Sequence, residues 1–213
     1  MKIIGVFGGS GSGKTTATEM LHRKIDNSVV LAMDVFMHKH WNEHKKEILD
    51  AIKIEEKENI WWYNYIMQNK DNVKKAINII KPYMEKDLQR LIKENQKYDA
   101  IIIDWVFLPL ISSFDNCDFT ISINCNLETK IKRLSSRLDA NNKLQKWPED
   151  SLVSRIKNSS LNEWGYFSKY SIENTGTLKE LSDNINMILS KEHININNDT
   201  DELNQVTHWN MDV

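Results

Sequence analysis

Apolar residues fall in two kinds of run along this chain. Ile3 to Phe7, Ser28 to Met33, Tyr98 to Ile103 and Phe119 to Asn124 are short, largely unbroken and rich in β-branched side chains. Continuous apolarity over so short a length implies burial on both faces, the mark of strands inside a covered sheet. Tyr170 to Ile172 is a weaker fifth candidate. Elsewhere apolar positions recur at spacings of three and four, the period of a helix with one buried face. A helix is expected from Lys14 to about Ile25, and another from about Leu127 to Asp139 with Leu127, Ile131, Leu134 and Leu138 packing on the sheet. A further helix begins at Thr177, where Thr177 and Glu180 have capping-box spacing, and buries Leu178, Leu181, Ile185 and Ile188. Strands alternating with helices predict parallel pairing with helical crossovers. The fold class is therefore α/β, a three-layer sandwich around a five-stranded parallel sheet.

Two stretches break this alternation. About sixty residues between the second and third strands, Asn42 to Asn95, are helical in pattern and read as an inserted helical subdomain, with Trp61, Trp62, Tyr63 and Tyr65 as its core or, alternatively, as a stacking surface for a base. Ala140 to Pro148 is polar, and Pro148 then opens a helix with Glu149 and Asp150 in its first turn, so residues 140–148 are a candidate small lid. One domain is expected over residues 1–192, with residues 193–213 a tail rich in Asn and Asp.

With 28 basic and 30 acidic residues, the 213-residue chain has a net charge of −2. No overall field attracts nucleic acid or an anionic membrane, so any anion site must be local. Cys117 and Cys125, the only cysteines, straddle one strand and form no close-spaced metal or redox motif, which points to a reducing cytosol. The apolar run at the N-terminus is too short for a signal-peptide core, and Ala100 to Ile111 is interrupted by Asp104, so neither secretion nor a membrane span is expected.

The local anion site is legible after the first strand. Gly8-Gly9-Ser10-Gly11-Ser12-Gly13-Lys14-Thr15 satisfies G-x-x-x-x-G-K-[ST] between an apolar strand and a helix, followed by Thr16. Glycines allow the loop to curl its N–H groups around phosphate oxygens, and the helix adds the positive end of its dipole. Lys14 is expected to reach the β- and γ-phosphates of ATP, and Thr15 to offer its hydroxyl to Mg²⁺. Asp104, after Ile101-Ile102-Ile103, is the candidate acidic partner of Mg²⁺, with a loop-capping role as the alternative. Asp34 follows the second strand at the carboxyl edge of the sheet and is placed to take the proton of an attacking hydroxyl, unless it only caps a helix. Three of only five arginines, Arg133, Arg137 and Arg155, bracket the lid segment. Arg133 and Arg137 lie one helical turn apart, suited to a phosphoryl group in transfer or, alternatively, to salt bridges on a solvated face. His38, His40 and His44 read as a polar loop rather than a metal site, having neither cysteine nor paired carboxylates nearby in sequence.

The order of these motifs resembles the P-loop kinases of small metabolites, dephospho-CoA kinases in particular. The likeness runs from Asp118 to Leu181: a strand after a Cys-Asp pair, Lys130-Ile131-Lys132-Arg133-Leu134-Ser135-Ser136-Arg137 in place of the family's R-x-x-x-R lid helix, Arg155-Ile156, and Ile172-Glu173-Asn174-Thr175-Gly176-Thr177-Leu178 at the last strand's exit. The resemblance implies that Lys14 and Thr15 hold ATP and Mg²⁺, that Asp34 is the acid after the second strand, that Arg133 and Arg137 are lid arginines and that Asn174 lies near the adenine. It also implies γ-phosphoryl transfer to the ribose 3′-hydroxyl of dephospho-CoA. Val106-Phe107-Leu108-Pro109-Leu110 differs, however, from that family's Pro-Leu-Leu-Phe-Glu run. Gly8 to Thr16 together with Asp34-Val35-Phe36 is similar to uridine and nicotinamide riboside kinases as well. A nucleoside acceptor therefore stands beside dephospho-CoA, and a nucleotide-dependent regulatory ATPase is the alternative of another class. In the kinase readings the partner is a small-molecule acceptor, with neither nucleic acid nor membrane involved.

Overall fold

The computed structural model describes residues 1–54, 63–136, 149–160 and 166–197. Five strands, β1 (Lys2–Phe7), β2 (Ser28–Ala32), β3 (Ala100–Asp104), β4 (Phe119–Asn124) and β5 (Tyr170–Glu173), form one parallel sheet in the order β2-β3-β1-β4-β5. β1 sits at its centre because it is flanked by β3 and β4, with Val6 paired to Asp104 on one side and to Ile121 on the other. The carboxyl ends of β1 and β3 therefore open side by side, where the loop after Phe7 and the carboxylate of Asp104 meet.

The apolar strands divide their side chains between two cores. Ile4, Val6, Ile102, Ile121 and Ile172 face α1 (Lys14–Lys24) and α8 (Leu178–Lys191). Phe7, Leu31, Ile101, Ile103 and Trp105 face the other way, toward α2 (Asp34–Glu43), α3 (Lys45–Ile52), the single turn α4 (Tyr63–Ile66) and α5 (Lys70–Glu94). Successive strand residues alternate faces, so a run such as Ala100–Asp104 must be apolar almost throughout to serve both layers. The buried residues of α5, Val73, Ala76, Ile77, Ile80, Met84 and Leu88, form one helical stripe, and Asn69 caps its first turn by accepting from the Asn72 N–H. The helices between β2 and β3 thus share a core with the sheet.

Several sequence expectations shift. The third strand starts at Ala100 rather than Tyr98 and includes Asp104, because Asp99 donates its N–H to the Asn27 carbonyl and Tyr98 its own to Asn95, closing the turn after α5. Asp34 opens α2 directly, so the helical insertion begins before Asn42, and His38 and His40 lie on a helix rather than in a polar loop. Leu127 is exposed, and Leu134 of α6 (Leu127–Ser135) packs with Ile131 against Leu152 and Ile156 of α7 (Glu149–Ser159), not on the sheet. Leu178 is also exposed, since it is the first residue after the Thr177 cap, whereas the Thr177–Glu180 capping box forms in full. The start of the tail packs: Ile194 and Ile196 rest on the α1/α8 core and Asn197 donates its N–H to the Lys24 carbonyl. Arg137, Leu138, Trp61, Trp62, the lid segment 140–148 and residues 198–213 lie outside the described residues. Among the described residues, no helix is long and apolar enough to cross a membrane.

Candidate active site

The loop between β1 and α1 is built to leave the helix N-terminus open. Gly11 and Gly13 take φ of 79° and 91°, the left-handed region that other residues enter only at a cost. A side chain at Gly13 would also collide with the amide of Asn174. The first turn of α1 holds no acidic residue, while His22, Arg23 and Lys24 occupy its last turn, so charge placement favours an anion at Lys14.

Neighbouring elements pin the loop from behind. The Ser12 carbonyl accepts from Asn174 Nδ2 at 2.8 Å and from Arg133 Nη1 at 3.2 Å. Ser12 donates its own N–H to Gly9, and Ser10 donates its N–H to Ser159 Oγ of α7 at 2.8 Å. Arg155 Nε donates to Ser10 Oγ at 3.3 Å. The amides of Ser10 and Ser12 thus serve the loop's own shape.

In front of the loop lies a cleft of about 290 Å³. It is lined by Gly8, Gly9, Ser10, Gly11, Gly13, Lys14, Thr15 and Thr16 of the loop and α1, by Asp34, Met37 and His38 of α2, by Tyr63, Met67, Val106 and Phe107, and by Arg133 and Arg155. The structure therefore brings Lys14, Thr15, Thr16, Asp34 and Arg133 together around one space. Asn174 is buried and bonded to the Ser12 carbonyl, and it stands outside the cleft lining, as do Ser12 and Asp104.

Charge in the cleft is arranged with care for burial. The Lys14 ammonium pairs with the Asp104 carboxylate, both nearly enclosed. Burial pushes the Asp104 carboxyl above its ordinary value, against the pull of Lys14. Asp34 lines the cleft, and its Oδ1 is buried and accepts no hydrogen bond from the protein. His38, one helical turn beyond it, is held below its ordinary pKa by burial; Asp34 opposes that shift and Arg155 adds to it. The Arg155 guanidinium lies 5.2 Å from the centre of the Tyr63 ring, whose hydroxyl is pushed up to about 12 by burial. Met37 and Phe107 carry no site signal in the sequence, while His38 reads there as part of a polar loop and Tyr63 as core of the helical insertion. Only the i, i+4 spacing of Asp34 and His38 could have signalled one of them.

A strand, a phosphate loop and a helix at the centre of a parallel sheet, with ligand space at the strands' carboxyl edge, define a P-loop nucleotide-binding protein. The family model described as an AAA domain matches residues 4–158, and the chain belongs to that family. A dephospho-CoA kinase from Gamma-proteobacterium EBAC31A08 is 28% identical over 202 residues, covering 89% of this chain and 96% of that protein. A dephospho-CoA kinase from Leptospira interrogans serogroup Icterohaemorrhagiae serovar Lai (strain 56601) is 22% identical over 205 residues, 88% of this chain and 91% of its own. Among solved structures, TT1252 from Thermus thermophilus shares the fold, with a TM-score of 0.61 at 16% identity over 89% of this chain and 97% of that one. Within its class the chain is an ATP-dependent P-loop kinase similar to dephospho-CoA kinases.

Proposed function

We propose that this kinase transfers the γ-phosphoryl group of ATP to a hydroxyl of a small nucleotide-like acceptor, the ribose 3′-hydroxyl of dephospho-CoA first among the candidates. The observation that carries the reading is the cleft itself. Asp34, whose Oδ1 is buried and unpartnered, lines it together with the phosphate loop bearing Lys14 and with Arg133 and Arg155. The named activity of relatives that align over most of this chain supports the choice of acceptor.

The roles follow from charge and reach. The loop and the N-terminus of α1 bind the phosphates. Lys14, Arg133 and Arg155 balance charge that spreads over the oxygens of the moving group, and this electrostatic term supplies most of the catalysis in phosphoryl transfer. Asp34 accepts a hydrogen bond from the acceptor hydroxyl, orients it and takes its proton. Thr15 in the cleft and the enclosed Asp104 offer the hard oxygen donors that suit Mg²⁺. Bound there, Mg²⁺ would neutralise phosphate charge.

One feature favours a second acceptor class. Met37, Tyr63, Met67 and Phe107 make an apolar, partly aromatic wall that a flat nucleoside base could contact. Purified protein with ATP and Mg²⁺ should be assayed against dephospho-CoA, uridine, cytidine and nicotinamide riboside, with ADP and phosphorylated product measured by mass. The proposal expects dephospho-CoA to give the highest kcat/KM. Faster transfer to a nucleoside moves the assignment to that class, and ADP formed at one rate with or without any acceptor supports the regulatory ATPase.

A further inference from the structure

We propose that His40, Glu43 and His44, at the end of α2 opposite Asp34, form a binding site for a zinc-like divalent ion, with Asp87 of α5 orienting the first ligand. Positions i, i+3 and i+4 share one helical face, so the three side chains converge without help from distant sequence. One potential ligand atom from each lies within 4.8 Å of the others. Zinc bonds of ~2.0–2.2 Å to nitrogen and oxygen place neighbouring ligand atoms roughly 3–4 Å apart, so small adjustments bring all three onto one ion.

The buried ring of His40 supplies the second observation. Its Nε2 lies 2.8 Å from Asp87 Oδ2 and its Nδ1 lies 3.0 Å from Glu43 Oε2. A neutral imidazole carries a single N–H. With Nε2 held against Asp87, Nδ1 is the ring atom turned toward Glu43. A histidine whose far nitrogen is held by a carboxylate is the usual arrangement of a metal ligand, because the carboxylate fixes the tautomer and raises the basicity of the coordinating nitrogen. The Tyr83 ring packs against both imidazoles, with centroids 5.4 Å from His40 and 4.3 Å from His44, and so restrains both ring planes. Glu43 is half exposed and His44 partly so, which leaves a route from solvent.

Two imidazoles and one carboxylate suit Zn²⁺, whereas Mg²⁺ takes oxygen ligands almost exclusively. The three residues are absent from the lining of the nucleotide cleft, so this site is separate from the one proposed for Mg²⁺. An ion here would fasten α2, the helix that begins with Asp34, to α5 through the His40–Asp87 contact.

The test uses the full chain, stripped with a chelator, dialysed, and titrated with Zn²⁺ against a chromophoric competitor; a parallel titration with Co²⁺ follows visible absorption. The expected result is one equivalent of Zn²⁺ bound, with the intense visible bands of low-coordinate Co²⁺ and a higher thermal midpoint. His44→Ala and Glu43→Gln should each remove the stoichiometric site and the Co²⁺ bands, and Asp87→Asn should weaken Zn²⁺ binding by ~10–100-fold. Glu43 and His44 are solvent-accessible, so folding of these variants can be verified by far-ultraviolet circular dichroism. Wild-type protein that takes up no equivalent of Zn²⁺ would overturn the proposal. So would His44→Ala and Glu43→Gln proteins that bind Zn²⁺ as tightly as wild type.

Discussion

Lys14 carries two jobs that a single substitution separates from folding. Its ammonium neutralises the enclosed Asp104 and stands at the mouth of the phosphate loop. Lys14→Ala should abolish measurable phosphoryl transfer while leaving a folded protein, because the loop is shaped by Ser12, Asn174 and Ser159 rather than by the lysine. Turnover near wild type in an ADP-release assay would remove the loop from the mechanism. Asp34→Asn keeps the size of the side chain but removes the charge that receives the acceptor proton. It should lower kcat by about 10²–10⁴-fold with little change in the KM for ATP. An unchanged kcat would reduce Asp34 to the residue that begins α2.

At the scale of elements, the phosphate loop is held by pieces that arrive from far along the chain. Asn174, just after β5, and Arg133, on α6, both donate to the Ser12 carbonyl, and Ser159 of α7 accepts from Ser10. Asn174→Ala removes one buried donor and leaves the carbonyl to Arg133 alone. The cost should be about 1–3 kcal/mol of stability by chemical denaturation, accompanied by weaker ATP binding in calorimetry. Loss of stability with wild-type ATP affinity would show that the loop keeps its shape without this brace.

For the whole molecule, two histidines tie stability to pH. His22 is held below the ordinary value of 6.5 by burial and by Arg23, and His38 by burial and by Arg155 against Asp34. As pH falls, the unfolded chain binds these protons before the folded one does. Their contribution to stability is therefore complete above about pH 6.5 and declines as pH falls through the lowered folded values. Thermal midpoints should drop between pH 7.5 and 5.5, and His38→Gln should flatten part of that slope. A midpoint that rises on acidification across this range would contradict the burial of these rings.

What sequence alone determined is the part of the protein whose physics is local. Ile3–Phe7, the glycine loop and Lys14 are contiguous, so strand, cradle and helix follow from neighbours along the chain, as does the Thr177–Glu180 capping box. Apolar runs such as Ala100–Asp104 likewise announce a sheet buried on both faces. Periodicity reports which face of a helix is apolar but not what that face meets. Hence α6 turned toward α7 instead of the sheet, and the bond from Asn174 to the Ser12 carbonyl has no counterpart in the local sequence. The cleft wall of His38, Tyr63, Phe107 and Arg155 draws on four separate segments, and Asp87 reaches His40 from 47 residues away. Those contacts depend on how α2, α5 and α7 settle on one another. Close packing of their buried side chains decides that orientation, and no short window of sequence contains it.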